Sequence, residues 1–537
     1  MVKDFMSLRK TRSIEIPLSF DQFETADTFI EEWMHQNRID NKTILETRLL
    51  VESHFYELIE QGFGQNTMLT IKAQKTFGEY NIKLGFEGKA YDHSKNDDDG
   101  SSPEMMIVNA YNDKVGYRYR MGYNSIRIVV KRNYSSSLMS CFFAIILAML
   151  VSTPLHAFLS VDHMTSLDNG IILPMIKQFE NAMLMIGAPV TFFSLVKNLA
   201  DNYIVSERSS SAKKLQTKSI LTSVIAILLA LVTGVLIAYL MSSHRGYLQD
   251  TGSFASGMNI TEFIESLVPS SIFEPFETYM PFPIIMVALL LTYALCSIGE
   301  YFSNVHRIIT ICLAVFSKML TVVMFTLPFV CFLAVLSMLM VNGVDNILVL
   351  LKFVLVIAAS LVVIAIFYLM RLLIGKVEIK TFVKHLPQLM WENFKIGSAI
   401  DAVPFNIRYC KRKYGYSRKR LSAQLPILAQ TNLDGNCYLI MLISMIFIYL
   451  LGIEISWLQI VGIALLVLFL SVGAPNQPGS MLIGMLIITF YLQADELIAI
   501  AIFAEVFFGS IQNIINVLGD IVTVAIEEQK FKQKLTA

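Results

Sequence analysis

Two aspartates lie in stretches of sequence with little else that is polar. Asp434 sits inside an apolar flank running from Leu421 to Leu451, and Asp520 follows a run containing Ile511, Ile514, Ile515, Val517 and Leu518. At hydrocarbon depth an ionised carboxylate costs about 3 kcal/mol or more unless it meets a cation or a strong donor. No Lys or Arg occurs between Arg420 and Lys530, so a bound metal ion is the economical counter-charge. Carboxylates, amide carbonyls and the backbone carbonyls of an unwound turn are hard oxygen ligands that suit a small alkali cation. A protonated, hydrogen-bonded aspartate is the alternative chemistry at either position.

The segments around these acids are interrupted in a particular way. Gly397–Pro404 (GSAIDAVP), Asn432–Asn436 (NLDGN) and Ser471–Ser480 (SVGAPNQPGS) are polar, Gly- or Pro-bearing tips between short apolar runs. Irregular backbone at membrane depth is tolerated only where protein or a water-filled cavity satisfies its amides and carbonyls. Paired interruptions of this sort point to a transporter site made of broken helices. A soluble protein would use them as ordinary loops, but their flanks are too apolar for that.

Elements long enough to carry such a site begin at Leu138. Apolar stretches at Leu138–Leu159, Ala182–Leu199, Ser219–Met241, Phe282–Ile298, Ile308–Val341 and Ile347–Ile374 match a hydrocarbon core of about 30 Å. Lys and Arg collect on the cytoplasmic side of membranes. Lys131 and Arg132 precede the first span, the loop 197–218 carries Lys197, Arg208, Lys213, Lys214 and Lys218, and the segment 371–395 carries Arg371, Lys376, Lys380, Lys384 and Lys395. Residues 156–176 and 242–280 are poor in both, so the head and the basic loops are expected to share the cytoplasmic side.

The whole chain fits this division. It has 537 residues, 43 Lys+Arg against 43 Asp+Glu, 54% hydrophobic and 16% charged residues, and a mean hydropathy of +0.56. Soluble chains carry about 25% charge, which excludes an ordinary cytosolic enzyme. Residues 1–135 hold 18 basic and 20 acidic side chains, so charge is dense there and thin afterwards. A balanced sum without a long basic run argues against nucleic acid as a partner. Cys141, Cys296, Cys312, Cys331, Cys410 and Cys437 lack metal-type spacing and read as packing thiols without disulfides.

The N-terminal stretch is charged and lacks an apolar signal region, so residues 1–135 are expected to form a cytoplasmic α+β head. Ser13–Phe20, Leu69–Ala73, Tyr80–Phe86 and Ser125–Lys131 alternate as strands do. Phe23–His35 and Lys42–Gly62 carry helical spacing, the second closing on a C-cap glycine. Asp97–Pro103 (DDDGSSP) is a loop by composition.

The head resembles the ATPase domain shared by histidine kinases and anti-sigma factors. The resemblance rests on LLVESHFYELIEQG (Leu49–Gly62), EGKAYD (Glu87–Asp92) and AYNDKVGYRYRMGYNSIRIVVKR (Ala110–Arg132). Such domains hold Mg-ATP with a helical asparagine and an aspartate before a glycine. The matching positions here are Glu57 and Glu87, the latter ahead of Gly88. A carboxylate facing phosphate oxygens is repulsive unless a metal lies between them. The resemblance therefore implies a degenerate head that no longer turns over ATP, with ATP binding as a sensor and kinase activity as the alternatives.

The rest of the chain, 136–537, resembles the dicarboxylate/amino acid:cation symporter family, glutamate transporters among them. The segments that carry the likeness are MLMIGAPVTFFSLV (183–196), LVPSSIFEPF (267–276), AVPFNIRYCKRKYGYSRKRLSAQLPILAQTNLDGN (402–436), SVGAPNQPGSMLIGMLI (471–487) and AEVFFGSIQNIINVLGD (504–520). The resemblance implies a polytopic α-helical membrane protein of glutamate-transporter-like fold, with eight transmembrane helices and two re-entrant hairpins. One hairpin would turn near Ser398–Pro404 on the cytoplasmic side and one near Ser471–Ser480 on the outer side. It also implies a homotrimer in the cell membrane, both termini cytoplasmic, whose transport core, about 386–530, moves as an elevator.

Residue by residue, the resemblance assigns sodium to Asn432 and Asp434 of the family's NMDGT motif, here NLDGN, and to Asn516 and Asp520 of the last helix. Thr222 and Ser223 would join the Asp434 ion, although the tyrosine usually beside them is absent. Ser471, Val472 and Ala474 would offer outer-hairpin carbonyls to another ion. The solute positions are Ser398, Asp401, Asn436, Gln477, Gly509, Gln512, Asn513 and Asn516. Gln512 replaces the arginine that clamps a distal carboxylate bidentately in acidic-substrate members, and Gly509 replaces the aspartate that receives an amino group.

Without the arginine a second solute carboxylate would be left unpaired, so glutamate, aspartate and dicarboxylates are disfavoured. Ile440 stands where some members carry an acid, which argues against proton or potassium counter-transport, and Glu505 is read as structural. The expectation is a sodium-driven symporter of a neutral or monoanionic solute, not an enzyme. A solute receptor signalling through the head is the alternative.

Overall fold

In hydrocarbon every backbone N–H and C=O must be paired within the protein, and after residue 134 the described residues are helical almost throughout. The computed structural model describes residues 11–37, 39, 41–63, 67–76, 79–89, 115–120, 122–132, 135–240, 268–298, 301–342, 345–400, 402–450, 452, 455–473, 479–492 and 497–536. Two compact units emerge, 1–134 and 135–537.

In the head, β1 (Thr11–Pro17) is followed by α1 (Phe23–Gln36) and α2 (Asn41–Leu58), then β2 (Met68–Thr76), β3 (Glu79–Glu87), β4 (Val115–Arg120) and β5 (Tyr123–Arg132). The strands form one antiparallel sheet in the order β1-β2-β3-β5-β4. Alternate residues face the helices: Leu69, Ile71 and Ala73 on β2, Ile82, Leu84 and Phe86 on β3, and Ile126, Ile128 and Val130 on β5 are buried. They pack with Ile30, Trp33 and Met34 of α1 and Leu50, Phe55 and Leu58 of α2. Burial of these apolar faces is the main force holding the layers together.

Two details differ from the periodicity reading. α2 ends at Leu58 and finishes in a wider turn, Ile59–Phe63, in which Gly62 takes φ +81°. β4 was not anticipated, because Gly116 and its polar neighbours hide the alternation of an edge strand paired to β5 alone. The DDDGSSP loop and residues 90–92 of EGKAYD lie outside the described residues.

The membrane unit opens with α3 (Ser135–Phe158), α4 (Leu173–Arg208), α5 (Ser210–Leu240), α6 (Pro281–Ser297), α7 (Phe302–Met324), α8 (Leu327–Asn342) and α9 (Asp345–Ile374). It continues with α10 (Ile379–Ile396), α11 (Val403–Tyr414), α12 (Arg418–Thr431), α13 (Asp434–Leu450), α14 (Trp457–Gly473), α15 (Ser480–Leu492) and α16 (Leu497–Thr536). Among the described residues, 7 helical segments are long and apolar enough to cross a membrane, and shorter apolar helices accompany them.

The stretch read as one span, Ile308–Val341, is two helices. Pro328 lacks an N–H and disfavours helical backbone at the residue before it. The chain turns at Phe325–Thr326, where Thr326 N–H donates to the Val323 carbonyl at 2.9 Å.

α13 lies at the centre, its residues 434–448 all buried, packed between α5 and α16. The span containing it is broken: α12 ends at Thr431, Asn432 is extended (φ −97°, ψ 91°), and α13 starts at Asp434. The α10–α11 pair turns after Gly397 (φ +70°). Its arms are joined by two buried amides, Asn393 Nδ2 donating to Asn406 Oδ1 at 2.9 Å and Asn406 Nδ2 to Asn393 Oδ1 at 3.2 Å. α14 ends at Gly473 and α15 begins at Ser480.

Candidate functional site

The break at Asn432–Leu433 frees backbone and side-chain polar groups in the middle of an apolar core, and neighbouring helices meet them. Asn432 Nδ2 donates to Asp520 Oδ1 at 3.0 Å and points also at the Asn516 carbonyl, 3.4 Å away. Asn432 Oδ1 accepts from the Thr222 hydroxyl at 3.1 Å. Asp434 accepts from Ser223 Oγ at 3.0 Å and from the Tyr368 hydroxyl at 3.1 Å. Gly435 N–H donates to Asn516 Oδ1 at 2.8 Å. Asn432, Asp434, Asn516 and Asp520 are buried completely or nearly so.

α5, α9, α13 and α16 therefore converge on one polar knot. Close approach is built into it. A Cβ on Gly435 would lie 2.2 Å from the Gln512 carbonyl, and one on Gly519 would lie 2.5 Å from Asn432 Nδ2 and 2.9 Å from Asp434 Oδ2.

A second amide group adjoins the first through Asn516. Asn436 Oδ1 accepts from Asn516 Nδ2 at 2.8 Å and from Gln512 Nε2 at 2.5 Å, and Gln512 Nε2 also reaches Ser480 Oγ at 3.1 Å. Asn436 Nδ2 and Gln512 Oε1 are buried without a hydrogen-bond partner among the described residues. Buried polar atoms are seldom left so, and this donor and acceptor on facing amides are the chemistry a polar solute would meet. Asn513 Nδ2 donates to the Gly397 carbonyl at 2.8 Å, tying α16 to the turn of α10–α11, where Ser398 is buried.

The structure thus gathers Thr222, Ser223, Asn432, Asp434, Asn516 and Asp520 in one place, and Asn436, Gln512 and Asn516 in its neighbour. Ser471 is buried at the end of α14, and the Val472 carbonyl already accepts from Asn198 Nδ2 at 2.8 Å. Gly509 lies against Glu505. Asp401, Ala474 and Gln477 fall outside the described residues. In the head, Glu57 is buried with His54 Nδ1 at 3.6 Å, and Glu87 is exposed at the end of β3.

Sequence reasoning missed two residues, both on α9. Tyr368 supplies the hydroxyl whose absence from α5 was noted, and it also donates to the Ile515 carbonyl at 3.2 Å. Arg371 corrects the argument from missing cations: it is close enough to act electrostatically on Asp434 and Asp520. Its Nη2 donates to Thr523 Oγ1 at 2.8 Å and its guanidinium lies 5.9 Å from the Tyr368 ring. Arg371 is distant from both acids in sequence, and the fold brings it to them on α9. A metal ion is then one source of positive charge at the knot and Arg371 another. Among the described residues no three His, Cys, Asp or Glu side chains converge, so what the knot offers a cation is a mixed oxygen set of carboxylate, amide and hydroxyl.

The profile of the sodium:dicarboxylate symporter family matches residues 138–529. The chain belongs to that family. Among characterised proteins, it is 23% identical over 388 residues to the C4-dicarboxylate transport protein of Bacillus subtilis (strain 168), a match covering 67% of this chain and 88% of that relative.

As a sodium:dicarboxylate symporter family member, the chain is a multi-pass cell-membrane protein and a secondary active transporter of a solute, not an enzyme. Sodium is the coupling ion of the family in general.

Proposed function

We propose that the protein couples an inward sodium gradient to uptake of a neutral or monoanionic organic solute, by an elevator movement of its transport core. The observation that carries this reading is the broken helix at Asn432, whose amide bridges Thr222 on one side and Asp520 on the other, beside Asp434. Sodium is cargo here. Asp434, Asn432, Thr222 and Ser223, with Asp520 and Asn516, supply oxygens of the hard type it prefers, and each is already oriented by a neighbour, which limits the reorganisation on binding. Ser471, Val472 and Ala474 are proposed for a further ion.

The neighbouring amides set the solute. Gln512, Asn436 and Asn513 offer neutral donors and acceptors and no guanidinium, so a second carboxylate would enter a buried site without a charged partner. This departs from the relative whose name specifies C4-dicarboxylates. Ser398, Asp401 and Gln477 are proposed to complete the pocket.

Ordering follows from the shared residue. Asn516 orders Gly435 through its Oδ1 and Asn436 through its Nδ2, so filling the ion knot organises the solute amides before the solute arrives. A homotrimer and cytoplasmic termini complete the proposal. The head, with carboxylates at both nucleotide positions, is proposed to be an ATPase-like fold that does not turn over ATP.

The test is uptake by proteoliposomes of a panel of neutral, monocarboxylate and dicarboxylate solutes under an inward sodium gradient. Neutral or monocarboxylate uptake should require the gradient and be lost in Asp434→Asn and Asp520→Asn. Gradient-independent uptake, or full uptake in both variants, contradicts the assignment.

A further inference from the structure

One buried carboxylate has no part in the ion knot. Glu505, on α16, is 6% exposed. Its Oε1 accepts from Gly479 N–H at 2.8 Å and its Oε2 from Leu482 N–H at 3.0 Å. Leu482 lies in the first turn of α15, a helix of 13 residues, and Gly479 is the residue just before that helix. The first N–H groups of a helix have no intrahelical acceptor, and the helix end carries about half a positive charge. Glu505 satisfies both needs at once, from a different helix.

The surroundings are shaped for this arrangement. One turn further along α16, a Cβ on Gly509 would lie 2.8 Å from Glu505 Oε1 and 3.0 Å from its carboxyl carbon. Gly479 takes φ +96°, a left-handed conformation that glycine adopts freely and that presents its N–H to Glu505. Moving α15 away from α16 breaks these charge-assisted hydrogen bonds together and strands a buried charge.

We propose that Glu505 is a positioning residue that holds the start of α15 against α16, its carboxylate filling the N-terminus of α15 in place of a solute carboxylate. The tie stands on the geometry alone. The exclusion of solute carboxylates from this helix end rests on the transport reading above and deepens it: a dicarboxylate would have to displace Glu505 or lie beside a like charge.

The experiment is hydrogen exchange by mass spectrometry on the full chain in lipid nanodiscs, comparing wild type, Glu505→Gln and Glu505→Ala. Peptides over 479–490 report the tie, and peptides within Asp434–Leu450 serve as internal reference. Exchange at 479–482 should rise about tenfold or more in both variants with the reference nearly unchanged. Sodium formate, against sodium chloride, should restore protection in Glu505→Ala, where a carboxylate-sized space is open, and not in Glu505→Gln.

Wild-type exchange in both variants overturns the tie, as does a rise shared equally by the reference. If Glu505→Ala does not fold, Glu505→Gln against the reference decides. Succinate should protect 479–490 in Glu505→Ala but not in wild type. Formate acting where succinate does not overturns the exclusion and leaves the tie standing. Loss of sodium dependence from wild-type uptake would count against the transport reading alone.

Discussion

The polar knot proposed for the ion and the amides proposed for the solute share Asn516 yet differ in charge. At the knot two carboxylates face Ser223, Tyr368 and Asn432, with Arg371 in electrostatic reach. At the solute end Gln512, Asn436 and Asn513 are neutral, and two of their polar atoms are left over. The difference teaches that the two tasks tolerate change unequally. A buried carboxylate cannot lose its donors without a large penalty, whereas amides exchange partners at a cost of about 1 kcal/mol per hydrogen bond. In the proposed mechanism coupling is held by charge, and specificity is adjusted beside it.

The comparison breaks hardest at its hinge. Asn432→Ala removes the amide between Thr222 and Asp520 and leaves Asp520 Oδ1 without that donor. Sodium affinity, read from sodium-dependent protection against heat, should fall on the order of a hundredfold. An unchanged midpoint would detach the broken helix from ion binding. Tyr368→Phe deletes one donor to Asp434 while keeping the ring, and should weaken sodium about tenfold with little loss of solute affinity at saturating sodium. Equal losses in both would merge the two regions into one.

On the solute side, Gln512→Arg restores a guanidinium, but Gly509 opposite Glu505 leaves no room for an added acid at 509. The single change should make succinate a competitor of uptake, with a gain of a few fold, since Glu505 still occupies the start of α15. No competition at all would show that the guanidinium does not reach the solute. The smallest effect lies in the head, where Arg48 Nε donates to Asp27 at 2.7 Å and Nη1 meets Glu31 at 3.0 Å. Arg48→Ala should cost the head about 1 kcal/mol by denaturant titration and leave sodium affinity untouched.

Much of this was legible in the chain itself. The helical spans followed from apolar length and the head strands from their alternation, because each pattern is local. Asp434 and Asp520 stood out as charges in apolar surroundings. Tyr368 and Arg371 did not, since a tyrosine and an arginine near the end of an apolar helix read as interfacial anchors, and only the packing of α9 against α16 turns them inward. The break at Thr326 was missed because uniform apolarity masked the proline. The Glu505 tie was invisible for a different reason: its partners are backbone N–H groups, which carry no side-chain signature.

The proposed coupling depends on sodium binding by Asp434 and its neighbours. A thermal-unfolding titration of the purified protein in NaCl against KCl at matched ionic strength, in wild type and Asp434→Asn, puts it most directly to the test. Sodium binding there gives a midpoint that climbs with NaCl and not with KCl, and that is flat in the variant. The same climb in both salts, or in both proteins, would contradict it.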